Sequence, residues 1–172
     1  EGTDQHKSSA DATEDKLNQD VIAEAMAKQE KEQLEELKEK LETEINRVDS
    51  AFTELKDQIL IDFTALGLRI QIVDKEKRPM FDLGSPKLLP YSADALKGLA
   101  PILDKVPNKI SVTGHTDANP YGAGATYTNW ELSADRANAA RRELLNGGLP
   151  EEKVGRVVGL GSSDLLDPSQ PQ

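Results

Sequence analysis

The chain has 172 residues, 37% of them hydrophobic, 4% aromatic and 30% charged, with a net charge of −10 and no cysteine. That is room for one ordinary domain plus an extension, and it excludes a disulfide scaffold, a thiolate metal site and a cysteine nucleophile. With 31 acidic against 21 basic residues the balance argues against a phosphate-backbone footprint, so nucleic acid is not an expected partner.

Residues 1 to 50 carry 15 acidic and 7 basic side chains, a local −8, and the rest only −2. Residues 1–20, polar with Ser8 and Ser9, are expected to be a disordered acidic linker. Residues 21–50 are expected to form an amphipathic linker helix. Val21 to Val48 contains no Gly or Pro, and Glu24 with Lys28 and Glu36 with Lys40 make favourable i,i+4 pairs. Its apolar stripe runs Leu34, Leu37, Leu41, Ile45 and Val48, which suits either a short coiled-coil seam between two copies or a helix docked on its own domain.

Residues 51–172 read as the folded domain. Ile59, Ile61 and Phe63, then Leu68, Ile70 and Ile72, alternate on either side of the Ala65-Leu66-Gly67 turn and predict two antiparallel strands. After a proline-bearing connection, Ser92 to Val106 predicts a helix kinked near Pro101. Ile110 and Val112 predict a strand ending in Gly114-His115-Thr116-Asp117. The next helix starts with a capping box, Thr128 and Glu131, and stops at Gly147 and Gly148, where a left-handed cap belongs. Val154 to Leu160 predicts the final strand, and residues 164 to 172 are polar and proline-rich. The order helix, strand, strand, helix, strand, helix, strand predicts an α+β two-layer sandwich with a mixed sheet.

His115 and Asp117, two apart at a strand end, suit a metal site or a catalytic pair. A third ligand has no candidate nearby and a nucleophile elbow such as G-x-S-x-G is absent from the sequence, which favours a structural imidazole. Arg136, flanking the stripe Leu132, Ser133, Ala137, Ala140 and Leu144, must either pair with an acid such as Asp117 or bind an anion. In the second case Asp117 and Arg136 line one pocket for a zwitterion, the carboxylate taking an ammonium and the guanidinium a carboxylate.

The run N-x-x-L-S-x-x-R-A-x-x-A-x-x-x-L from Asn129 to Leu144, preceded by Thr113-Gly114-His115-Thr116-Asp117, resembles the OmpA-like peptidoglycan-binding family, with Ala140 where that family usually has Val. The segments Gly67 to Asp74, Arg78-Pro79-Met80-Phe81 and Asn129 to Asn138 resemble more closely the periplasmic region of its MotB-type branch, the flagellar stator subunits. The resemblance implies a non-enzymatic domain, without cofactor or metal, that anchors the stator to the cell wall. It further implies that Asp117 and Arg136 hold the free end of diaminopimelate in the peptidoglycan stem peptide. Asn129 and Thr116 would assist, with backbone groups of Phe81 and Asp82 beside the pocket. Implied partners are the stem peptide, a second copy in a homodimer, a MotA-type stator subunit through a transmembrane segment outside this sequence, and the flagellar P-ring. The implied location is the periplasm, with the inner membrane holding an absent N-terminal helix. The family's last helix and strand are also missing here, so a sheet edge is expected to be uncovered. An outer-membrane or lipoprotein anchor of the same fold, and a peptidoglycan amidase or hydrolase, are the alternatives.

Overall fold

The computed structural model of the chain describes residues 5–47, 50–75, 77–117, 122 and 124–163. Val48, the first four residues and the proline-rich tail from 164 onward, each part of an expectation above, lie outside the described residues. The chain divides into two units, Glu1–Glu39 and Lys40–Gln172.

Helix α1 runs Gln5–Asn46 and so begins well before Val21, inside the segment read as linker. Its 42 residues include no Gly or Pro, so nothing in that segment interrupts the intrahelical hydrogen-bond ladder. Side chains from Ala10 to Glu32 are all exposed, among them Leu17, Val21, Ile22 and Met26. In the second unit Leu41 and Ile45 of α1 are buried. For that end of the stripe, docking on its own domain replaces the intermolecular seam.

The remaining elements follow in the expected order. A 3-10 turn, Thr53–Gln58, leads into β1 (Ile59–Thr64) and β2 (Gly67–Ile72), which pair antiparallel from Ile59 with Ile72 to Thr64 with Gly67. Helix α2 (Pro90–Leu103) opens with Pro90, whose fixed φ suits a first turn and whose missing N–H is not needed there. Strand β3 (Ile110–Gly114), helix α3 (Asn129–Asn146), a 3-10 turn (Glu151–Lys153) and β4 (Val154–Gly159) complete the chain. Strands β3 and β4 pair parallel, with α3 as the crossover. Both pairing senses of a mixed sheet are therefore present, but among the described residues they form two separate two-stranded sheets rather than one, because no described strand bridges β1–β2 and β3–β4.

The core of the second unit gathers Phe52 and Leu55, Leu96, Leu99 and Leu103 of α2, and Leu132, Ala137 and Leu144 of α3. Pro101 lies inside α2 and has no N–H for the Lys97 carbonyl four residues back. Gly147 closes on that carbonyl: a Cβ at position 147 would stand 2.6 Å from the Lys97 oxygen. The cap of α3 falls on the expected glycine pair. Gly147 keeps a helical φ of −80°, and Gly148 takes the left-handed position at φ +105°. Leu149 N–H donates to Leu144 and Gly148 N–H to Leu145, a Schellman motif with Leu144 and Leu149 both buried.

Candidate functional site

Helix α3 carries two of the site residues, and its position is set by glycines. Gly114 of β3 and Gly159 of β4 are partners in register. A Cβ on Gly114 would come within 2.1 Å of the Ser133 carbonyl oxygen, and one on Gly159 within 2.5 Å of the Ala134 nitrogen. Bare backbone at this pair therefore lets α3 lie directly on the end of the sheet. Ser133, fully buried, accepts a hydrogen bond from Gly161 N–H at 2.8 Å and donates to the Trp130 carbonyl at 3.0 Å, tying the first turn of α3 to the chain just after β4. The start of the helix is fixed by the expected capping box. Thr128 Oγ1 accepts from Trp130 N–H at 3.3 Å, and Thr128 N–H donates to Glu131 Oε2 at 2.8 Å. The Thr128 hydroxyl, with the backbone amides of Glu131 and Thr128, holds the Glu131 carboxyl below its usual 4.5.

Arg136 is half-buried, and its partners are not those expected of a structural ion pair. Its Nε donates to the Ser85 carbonyl at 3.0 Å and Nη2 to the Asp82 carbonyl at a long 3.5 Å, while Cζ stands 4.8 Å from the centre of the Phe81 ring. Among the described residues it forms no ion pair with Asp117, and Nη1 has no partner. The carbonyls come from a tight turn. Phe81 bridges Leu88, Asp82 N–H donates to Lys87 at 2.9 Å, Ser85 N–H donates back to Asp82 at 3.0 Å, and Gly84 supplies the left-handed residue at φ +61°. Ser85 and Gly84 were not singled out in the sequence. The signal available was Gly84-Ser85 just after Phe81-Asp82, but a turn dipeptide does not say which cation its carbonyls will meet.

The second group lies at the N-terminal end of α3. Asn129 Nδ2 donates to the Asp117 carbonyl at a long 3.4 Å. Thr116 N–H donates to the Gly161 carbonyl at 2.9 Å, which buries Thr116 and leaves its Oγ1 without a partner among the described residues. Asn129 and Arg136 are seven residues apart, hence on one face of α3 with roughly 10 Å between them along the axis. A side chain at position 136 leans toward the helix N-terminus, toward Asn129. The structure thus groups Phe81, Asp82 and Arg136 at one end of this face, and Thr116, Asp117 and Asn129 at the other. Among the described residues no set of three or more acidic or histidine side chains converges as metal ligands. No described helix is long and apolar enough to cross a membrane.

Residues 80–172 match the model of the OmpA family. The chain is 50% identical over 124 residues to motility protein B of Escherichia coli K12, covering 72% of this chain and 40% of that relative. It is 39% identical over 142 residues to LafU of the same organism, described as a truncated flagellar export/assembly protein, covering 79% of this chain and 67% of that one. The fold is similar to the crystal structure of a MotB-like protein from Desulfovibrio vulgaris, with a TM-score of 0.64 at 22% identity over 83% of this chain and 84% of that one. The chain therefore spans about two fifths of the motility protein B relative.

Proposed function

The chain belongs to the OmpA family, and from that premise we propose that it is a non-catalytic peptidoglycan-binding domain from the periplasmic part of a flagellar stator subunit, holding the stator to the cell wall. Its likeness to motility protein B supports the flagellar setting. In this reading the protein works in the periplasm, is carried by an inner-membrane helix outside this sequence, pairs with a second copy and assembles with a MotA-type subunit.

The ligand is the free end of diaminopimelate in the stem peptide, which carries an ammonium and a carboxylate on one carbon. The observation that supports this is the guanidinium of Arg136, fixed at Nε and Nη2 by two carbonyl oxygens and stacked on Phe81, with Nη1 left for an anion. A guanidinium held in advance loses little freedom when it meets a carboxylate. Asp117 takes the ammonium, Asn129 fixes the backbone that carries Asp117, and Thr116 assists through its backbone bond to Gly161, which anchors the same segment. Asp82 and Phe81 act through the turn that positions Arg136.

Lysine at the same stem position has the ammonium without the carboxylate. It would leave Arg136 without its anion, a loss of roughly 1.5–3 kcal/mol, or about 10- to 150-fold in affinity. Calorimetric titration with diaminopimelate-type and lysine-type stem peptides, and co-sedimentation with purified sacculi, test this. The diaminopimelate peptide should bind more tightly, and Arg136→Ala should erase the preference. Equal binding of the two peptides, or a preference that survives the substitution in a folded domain, would remove Arg136 from the site.

A further inference from the structure

The chain has a single tryptophan, and it is not in the core: Trp130 is 57% exposed in the first turn of α3. Around it in sequence Asn129 and Ala134 are half-buried, Glu131 is exposed, Leu132 and Ser133 are buried, and Tyr127, itself partly exposed, donates its hydroxyl to Asp135. The indole is nevertheless held. A Cβ built on Gly161 would stand 3.3 Å from Cε3 and 3.4 Å from Cδ2, so part of the indole lies close against Gly161 while most of the residue stays exposed. Gly161 has φ +57°, so position 161 is a glycine for its conformation as well as for the ring it supports. The same residue receives the N–H of Thr116, whose hydroxyl is buried and unpartnered. Trp130 and the Thr116–Asp117–Asn129 end of the site therefore share one backbone support.

Building on the peptidoglycan reading above, we propose that Trp130 is a carbohydrate platform: its free face stacks on a sugar ring of the glycan strand from which the bound stem peptide hangs. A flat exposed ring with polar groups beside it suits a pyranose, whose C–H face meets the negative face of the indole while its hydroxyls stay with polar neighbours and water. A protein partner would call for a contiguous apolar surface around the indole, whereas the residues that flank it, Asn129, Glu131 and Ser133, are polar and Tyr127 turns its hydroxyl to Asp135. The platform makes the domain a reader of two linked chemistries, an amino-acid terminus at Arg136 and Asp117 and a sugar beside Asn129.

Because Trp130 is the sole tryptophan, its fluorescence reports this site alone. The probes are a disaccharide-tetrapeptide and the same tetrapeptide without its sugars, both of the diaminopimelate type. The sugar-bearing probe should change the emission intensity or maximum and the bare tetrapeptide should change it far less. Trp130→Ala should weaken the sugar-bearing probe about threefold to tenfold and the tetrapeptide less than twofold, with Trp130→Phe restoring most of the difference. Equal losses for both probes, or an emission change as large with the tetrapeptide, would overturn the platform. Binding of the sugar-bearing probe alone, with a Trp130 response, would keep the platform and overturn the stem-peptide site. Failure of both probes with the wild-type domain would overturn both.

Discussion

Gly84 contributes to Arg136 without touching it. At φ +61° it turns the chain so that the carbonyls of Asp82 and Ser85 reach the guanidinium, and nothing lies within 4 Å of where its Cβ would be. Substitution there is a matter of backbone conformation alone. Gly84→Ala should cost about 1–2 kcal/mol in a denaturation experiment and weaken binding of the diaminopimelate peptide, whereas Gly84→Asn, which tolerates the left-handed region, should do much less of both. Equal effects of the two changes would show that the turn does not hold Arg136. Gly114 is the opposite case, small because a backbone lies on it. A Cβ 2.1 Å from the Ser133 carbonyl oxygen must push α3 off the sheet. Gly114→Ala is therefore expected to destabilise by about 1–3 kcal/mol or more and to shift Asn129 and Arg136 together.

Helix α3 is the element on which the site depends, and its N-terminal cap responds to acid. The Glu131 carboxyl is held below its usual 4.5 by the Thr128 hydroxyl and the first backbone amides, so its charged form is favoured by folding. A depressed carboxyl contributes stability that is present above 4.5 and is lost as pH falls through its folded value. Glu131→Ala should therefore differ from the wild type in thermal midpoint at pH 7, and the gap should narrow in acid below pH 4.5. A gap that stays constant down to that range would mean that the carboxylate charge plays no part in the cap. Thr128→Ala removes the other half of the box and should cost about 1 kcal/mol at neutral pH. Both ends of α3 were legible in the sequence because caps are local chemistry: Thr128 and Glu131 are three residues apart, and Gly147-Gly148 marks the stop. Which of the two glycines turns left-handed was left open by the pattern, and it is Gly148, since Gly147 is held helical where it packs on Lys97 of α2. The hairpin from Ile59 to Ile72 was equally legible from its period-2 alternation. The partners of Arg136 were not, because Ser85 lies 51 residues away and offers a carbonyl, which every residue has.

Across the whole chain, the apolar surface available to a second copy is smaller than the sequence pattern suggests. The stripe counted from Leu34 to Val48 looked like two heptads of seam, but Leu41 and Ile45 are buried in the second unit and are unavailable to a partner helix. What α1 exposes lies earlier, in the i,i+4 pairs Leu17 with Val21 and Ile22 with Met26, each 57–65% exposed. The start of α1 at Gln5 was misread because residues 5–20 lack apolar periodicity, the signal that separates helix from linker in a polar sequence. The two pairs point about 140° apart around the helix, so a homodimer joined through α1 has about one turn of apolar contact on a given face, and the first 50 residues of each copy carry −8. Repulsion between like-charged helices falls as the screening length shortens from about 10 Å at 0.1 M salt to about 3 Å at 1 M, while burial of whichever apolar pair lies in the contact is little affected. Dimerisation should therefore be weak at low ionic strength and stronger at high, the reverse of an interface built on opposite charges. Sedimentation equilibrium at the two salt concentrations reads this directly, and Val21→Asp with Met26→Asp should abolish association at both. A tight dimer that survives the double substitution, or one that weakens with salt, would place the contact between copies in the unit from Lys40 to Gln172 instead.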